Sequence, residues 1–130
     1  MSANENTLNH KIDFAIIIAV NNANPNGDPL NGNRPRTDFA GNGEITDVCL
    51  KRKIRDRLQE AGETIFVQSD EKKTDGMTSL KNRAYDEDVG LGKNAFEANK
   101  KENIEAKRDE TAQKACEKWF DVRAFGQVFA

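Results

Sequence analysis

The sequence has few residues that could support metal or thiol chemistry. Among its 130 residues are two cysteines and one histidine. Cys49 and Cys116 belong to no C-x-x-C pair, and His10 does not complete a spaced set of ligands with them. Structural zinc is usually held by four Cys, His or carboxylate ligands. The sequence therefore predicts no metal site, no cofactor and no cysteine-based catalysis.

Long hydrophobic runs are also missing. No apolar stretch approaches the roughly 18 residues that a membrane-spanning helix needs, and no signal peptide is recognised ahead of the first apolar segment. Free cysteines without a disulfide pattern fit a reducing compartment. We therefore expect a cytoplasmic protein that has no contact with a membrane.

Charge is abundant, but the net charge is small. Charged residues make up 32% of the chain and the formal net charge is −2, which argues against binding of nucleic acid through bulk positive charge. The length predicts one domain over residues 1–130. The positive charge is concentrated between positions 51 and 57, which carry the five cations Lys51, Arg52, Lys53, Arg55 and Arg57.

A long polar loop from Asn21 to Gly43 precedes these cations. It holds all three prolines and four of the nine glycines, which are residues that turn the backbone. Loops of this length are usually functional or disordered. Its two arginines, Arg34 and Arg36, carry planar donors suited to phosphate, and its asparagines can bind phosphate or sugar oxygens without reading base sequence.

A helix is predicted from residue 46 to residue 61. Thr46 is a suitable N-cap, and Gly62 is a suitable C-terminal stop. Leu50, Ile54 and Leu58 fall on one apolar stripe. The cations Lys51, Arg52 and Arg55 share the adjoining face. We therefore expect one buried side and one side that can hold an anionic chain.

Three β-strands are predicted around this helix, which gives an α/β fold. Residues 12–20 form a nearly unbroken apolar run, residues 63–68 follow the helix directly, and residues 121–130 alternate between two faces. Between the second and third strands, residues 69–96 mix charges and glycines without a sustained period, and we expect them to be a mobile insertion.

Three short motifs suggest other kinds of site, but each lacks residues that such a site needs. Residues 22–28 resemble the opening of a calcium-binding EF-hand loop, but Asn33 stands where the bidentate Glu belongs. Asp28, Asp38 and Asp47 could gather metal ions for a nuclease, although no histidine or general base accompanies them. The GLGK segment at residues 90–93 lacks the flanking residues of a phosphate-binding loop.

Four longer motifs together carry a resemblance to a known family. These are NPNGDP at 24–29, GNRPRTD at 32–38, ITDVCLKRKIRD at 45–56 and FDVRAFG at 120–126. The chain resembles the backbone subunit of CRISPR Cascade, the Cas-seven family, in its subtype I-C form. The resemblance implies a modified ferredoxin-like palm, similar to an RNA-recognition motif, with inserted fingers and a thumb. It also implies that this chain is the N-terminal half of a longer protein.

The resemblance also implies a function and its residues. Copies of such subunits line up along CRISPR RNA without reading its sequence, and the guide pairs with target DNA in antiviral defence. The partners are therefore CRISPR RNA, target DNA through the guide, other copies of the subunit and other Cascade subunits. The RNA-binding residues that it implies are Asn24, Asn26, Arg34, Arg36, Lys51, Arg52 and Arg55.

Two other functions remain open at this stage. Relatives in RNA-targeting systems cleave RNA with a loop aspartate, for which Asp38 is the candidate here, so a metal-dependent ribonuclease is the alternative. Type I members of the family are not nucleases, and the resemblance therefore predicts a non-catalytic subunit. A protein interaction module is the third possibility.

Overall fold

The computed structural model describes residues 10–97 and 103–129. The chain divides into two compact units, residues 1–44 and residues 45–130. Each is described by itself below. Whether both belong to one domain of a longer palm, fingers and thumb protein stays a prediction.

The first unit is built around an ordered hairpin in the asparagine-rich loop. Strand β1 (Gly27–Asp28) pairs antiparallel with strand β2 (Arg34–Pro35), and a 3-10 turn at Pro29–Asn31 connects them. A side chain at Gly27 would overlap the Asn33 amide group, so any other residue would require the Asn33 side chain to move. The loop is therefore held by its own hydrogen bonds.

Residues 12–20, predicted as a core strand, form neither a strand nor a helix. Their large apolar side chains are exposed, from 49% at Ile12 to 97% at Ile17. A β-strand needs a neighbouring strand to satisfy its backbone hydrogen bonds, and no described residue supplies that neighbour. The prediction of a core strand here is wrong for this structure.

The second unit is helical. Its helices are α1 (Asp47–Glu60), α2 (Leu80–Tyr85), α3 (Lys93–Phe96), α4 (Ile104–Lys118) and α5 (Phe120–Phe125). The core consists of Phe66, Ala84, Ala115, Trp119 and Val122. The rings of Phe66 and Trp119 lie 4.6 Å apart between centroids. None of the helices in the described residues is long and apolar enough to span a membrane.

Two further strand predictions are wrong. Residues 63–68 contain no strand, and the predicted strand 121–130 begins as helix α5 and ends at Ala130, which lies outside the described residues. Helix α5 buries Asp121 and Val122, and residues 126–129 are neither helix nor strand. The alternation of residue types in this segment therefore does not correspond to a strand.

Residues 69–96 contribute to the core. Arg83 and Ala84 on α2 are buried at 3% exposure each, and Gly90 lies against the α2 backbone, where a side chain would overlap the carbonyl oxygens of Arg83 and Ala84. The mobility of this segment stays a prediction.

Candidate nucleic-acid interface

Helix α1 forms where the sequence predicts it. The Thr46 hydroxyl accepts a hydrogen bond of 3.2 Å from the Cys49 N–H, and Asp47 stands in the first turn. A polar cap and an acidic first turn both stabilise the start of a helix. The five cations between positions 51 and 57 are thus carried on one regular helix.

Arg55 is the most deeply buried of these cations. Its Nε donates to the Asp121 carboxylate at 2.9 Å, and the two side chains are only 13% and 1% exposed. The same carboxylate accepts from the backbone N–H groups of Phe66, at 2.7 Å, and Val67, at 3.1 Å. Arg55 and Asp121 therefore join α1 and α5 to the segment around Phe66.

Arg52 also makes internal contacts. Its guanidinium donates to the Val67 carbonyl oxygen and lies 3.6 Å from the Asp56 carboxylate. Arg52 and Asp121 together form hydrogen bonds with backbone C=O and N–H groups of this segment. In a sheet, a neighbouring strand would form these bonds. Arg52 and Arg55, both implied as RNA contacts, thus hold the predicted second strand in place without a sheet.

Lys51 occupies a more open position. Its amine lies 3.1 Å from Asp47, and its side chain is 35% exposed. The amine is also 5.7 Å from the centre of the Phe125 ring, and the Arg55 guanidinium is 5.0 Å from the same ring. Phe125 thus lies beside two of the cations that the family resemblance implies as RNA contacts.

The remaining two cations of α1 face solvent. Lys53 is exposed, and Arg57, whose side chain is 83% exposed, pairs with Glu60 at 2.6 Å. The face that carries Lys51, Arg52 and Arg55 therefore packs largely against the protein, whereas the sequence reasoning had placed it toward an anionic ligand.

In the first unit, the amide groups of both candidate asparagines contact the loop itself. The Asn24 Nδ2 donates to the Asn33 carbonyl oxygen at 2.7 Å, which closes the hairpin, and the Asn26 Nδ2 donates to the Gly27 carbonyl oxygen at 3.2 Å. Each amide also has an oxygen that can accept hydrogen bonds. In this conformation both side chains help to shape the loop.

The two candidate arginines of this loop are exposed on or beside β2. Arg34 pairs with Asp28 in the strand register, and the Arg36 Nε donates to Glu44 at 3.1 Å. The Arg36 and Glu44 side chains are 43% and 44% exposed. Exposed ion pairs contribute only about 0–1 kcal/mol, so a phosphate can compete for this guanidinium.

A second buried ion pair was not foreseen from the sequence. Arg83 binds Asp75 through two nitrogens, at 2.5 and 2.9 Å, and donates to the Phe66 carbonyl oxygen at 2.7 Å. The Arg83 hydrogen bonds hold the pKa of Asp75 below its usual value of 3.8. The sequence near Arg83 shows only that the apolar residues Leu80 and Ala84 lie close to it. This does not identify Asp75, eight residues away, as its partner.

Two aspartates of the first unit, Asp28 and Asp38, accept hydrogen bonds within turns. The Asp28 carboxylate accepts from the Leu30 N–H, and Asp38 accepts from the N–H groups of Ala40 and Asn42, each at 2.9 Å. Among the described residues, no group of three or more His, Cys, Asp or Glu side chains is arranged to hold a metal ion. The Asp28 and Asp38 carboxylates are thus both used to stabilise turns of the first unit.

The described residues thus define a protein that carries a cation-bearing helix and an internally hydrogen-bonded, asparagine-rich hairpin. The family model for CRISPR-associated protein Cas7 matches residues 10–130, and the chain belongs to this family. A curated relative, the CRISPR-associated protein Cas7 of Haloferax volcanii, is 40% identical over 85 residues. These are 65% of this chain and 24% of the relative, so the match spans about a quarter of the relative's length.

Proposed function

We propose that this chain is part of a non-catalytic subunit that binds the CRISPR RNA backbone without reading its sequence. In this proposal, repeated copies form the filament of a type I Cascade surveillance complex, of subtype I-C form, in antiviral defence. The observation that carries the proposal is the family match over residues 10–130. The cations of α1 and the arginines of the hairpin supply the chemistry.

Whether these cations can bind phosphate depends on how strongly each side chain is already paired within the protein. Lys51 and Arg36 have partners that are well exposed, Asp47 at 73% and Glu44 at 44%, and such pairs are weak in water. Arg55 is bound to a fully buried carboxylate, and removing it would leave an uncompensated charge. We therefore assign RNA contact to Lys51, Arg34 and Arg36, and a supporting role to Arg52 and Arg55.

The ferredoxin-like palm belongs to this proposal. It would require residues 12–20, 63–68 and 121–130, which form no strands in the described residues, to become strands and pair in the longer protein. The exposed apolar side chains of residues 12–20 would be buried in such a sheet, and that burial would favour its formation. Contacts with other copies, with other Cascade subunits and, through guide pairing, with target DNA are proposed for that longer protein.

The alternative, a metal-dependent ribonuclease, would depend on Asp38. Its carboxylate accepts three hydrogen bonds within its own turn, two from backbone N–H groups and one of 3.1 Å from the Asn42 side chain. These hydrogen bonds, that from the Asn42 side chain first, lower the pKa of Asp38. An aspartate used in this way stabilises a turn, which favours the non-catalytic function.

The experiment is a binding and cleavage assay on the 130-residue chain. End-labelled CRISPR RNA and an unrelated RNA of equal length are each titrated with protein, with and without magnesium. We expect weak binding of similar affinity to both RNAs, a steep loss of affinity with salt, and intact RNA throughout. Cleavage that disappears in Asp38→Ala but persists in Asp109→Ala would instead establish the ribonuclease.

A further inference from the structure

A fully exposed aromatic ring lies at the tip of the turn formed by residues 37–43. Phe39 has a relative exposure of 113%, the highest of any large apolar side chain in the described residues. Fully burying a Phe side chain stabilises a protein or complex by about 1.5–3 kcal/mol. A ligand that covers the exposed ring of Phe39 would therefore gain a stabilisation of this kind for its complex.

The turn that presents Phe39 is tightly hydrogen-bonded. Thr37 and Gly43 form an isolated antiparallel bridge, and the Asp38 N–H donates to the Asn42 carbonyl oxygen at 2.9 Å. The Asp38 carboxylate accepts three further hydrogen bonds from Ala40 and Asn42. Because the turn is closed on both sides of Phe39, little backbone entropy remains to be lost when its ring is contacted.

A concave surface of about 400 Å³ lies beside the ring. It is lined by Asp28, Arg36, Thr37, Asp38, Phe39 and Glu44. Three of these residues are acidic and one is basic, so a phosphate group is disfavoured inside the cavity. A neutral planar group with hydrogen-bonding edges fits this lining better, since its face can lie on Phe39 while its edges meet the arginine and the carboxylates.

We infer that Phe39 is a stacking platform for an unpaired base of the bound RNA, and that the adjoining cavity receives the edge of that base. This inference rests on the proposed RNA binding and adds a contact to it. Stacking of bases on aromatic side chains tolerates any base, because every base has a π-face. Arg34, in strand β2 of the preceding hairpin, is then available to meet a flanking phosphate.

The test compares a single-stranded RNA with a strand of the same length that lacks its bases, using fluorescence anisotropy and the full 130-residue chain. Phe39→Ala is expected to weaken binding of the normal strand roughly tenfold, as for one stacked base, and to leave binding of the abasic strand unchanged. Phe39→Tyr keeps the ring and should bind like the unaltered chain.

Leu30→Ala is the matched control. Leu30 is 97% exposed in the turn at Pro29–Asn31, which precedes the turn of Phe39, and its removal should change neither affinity. Unchanged melting of both variants will show that the fold is intact. Salt-dependent RNA binding that is equal in Phe39→Ala and the unaltered chain would overturn the stacking inference alone, whereas absence of RNA binding in every variant would overturn the proposed function as well.

Discussion

The Asp121 carboxylate lies 2.9 Å from the guanidinium Nε of Arg55, although 66 positions separate the two residues in the sequence. Their side chains are 1% and 13% exposed. The carboxylate also accepts two backbone N–H groups from the segment at Phe66 and Val67. One buried side chain thus links three parts of the second unit that are distant in sequence.

Asp121→Asn is expected to lower the free energy of unfolding by about 3 kcal/mol. The amide keeps the shape and one acceptor oxygen but leaves the buried Arg55 charge without its partner, and breaking a buried pair on one side is strongly destabilising. Urea denaturation at neutral pH measures the change.

Asp109→Asn provides the control for this variant. Asp109 is exposed on α4, and exposed substitutions usually change stability by less than about 0.5 kcal/mol. Equal stability of the two variants would show that the Arg55 to Asp121 pair does not hold the unit together.

The pair of Arg83 and Asp75 should make stability depend on acid pH. The pKa of Asp75 in the folded protein is lowered from 3.8 by its hydrogen bonds to Arg83. A lowered folded pKa stabilises the protein above the unfolded pKa, and this contribution is lost as pH falls through the folded value. We therefore expect Asp75→Asn to be clearly less stable than the unaltered chain at pH 7.

The difference between these two proteins should shrink as pH falls below 3.8 and through the lowered pKa of folded Asp75, because Asp75 is then protonated and neutral like asparagine. Urea denaturation of both proteins over a pH series provides the measurement. A difference that stays constant down to the lowest pH would show that the charge of Asp75 is not the cause.

Gly90→Ala is expected to destabilise the second unit by about 1–3 kcal/mol, the usual cost of overpacking. The added methyl group would overlap the carbonyl oxygens of Arg83 and Ala84, and these are backbone atoms that cannot move without disturbing α2. Thermal unfolding of the variant tests this expectation.

Gly43→Ala is the matched substitution. Nothing lies within 4 Å of a side-chain carbon placed at Gly43, so we expect unchanged or slightly increased stability from the reduced freedom of the unfolded chain. If Gly90→Ala melted like Gly43→Ala, the close approach of Gly90 to α2 would be wrong.

Lys51→Ala is expected to weaken binding of unrelated RNAs equally and to reduce the salt dependence by roughly 0.7 logarithmic units, the single-strand value for one phosphate contact. Lys51 can leave its exposed partner Asp47 for a phosphate, whereas Arg55 is held by Asp121. Anisotropy titrations at several salt concentrations measure both quantities.

Lys53→Ala removes the same charge from the solvent-facing side of the same helix and should matter less. Both variants keep α1, since alanine favours helix, so a difference between them reports on RNA contact. A larger effect from Lys53→Ala would place the RNA on the exposed face with Arg57.

Local features of this protein follow from its sequence alone. The start and end of α1 are determined by Thr46, Asp47 and Gly62, because a helix is closed by hydrogen bonds between residues four positions apart and by caps at its ends. The turns of the hairpin depend likewise on nearby glycines and asparagines. The four motifs that indicated the Cas-seven family also lie within short stretches of the chain, and family membership was confirmed.

The tertiary structure decided what the cations and the apolar segments do. Residues 63–68 have the composition of a strand, but a strand needs distant partners, and here the side chains of Asp121, Arg83 and Arg52 take the place of that partner. The same contacts turn Arg52 and Arg55 inward. Whether a charged side chain is free for a ligand depends on which remote carboxylate or carbonyl group lies beside it, and spacing along the chain carries no information about that.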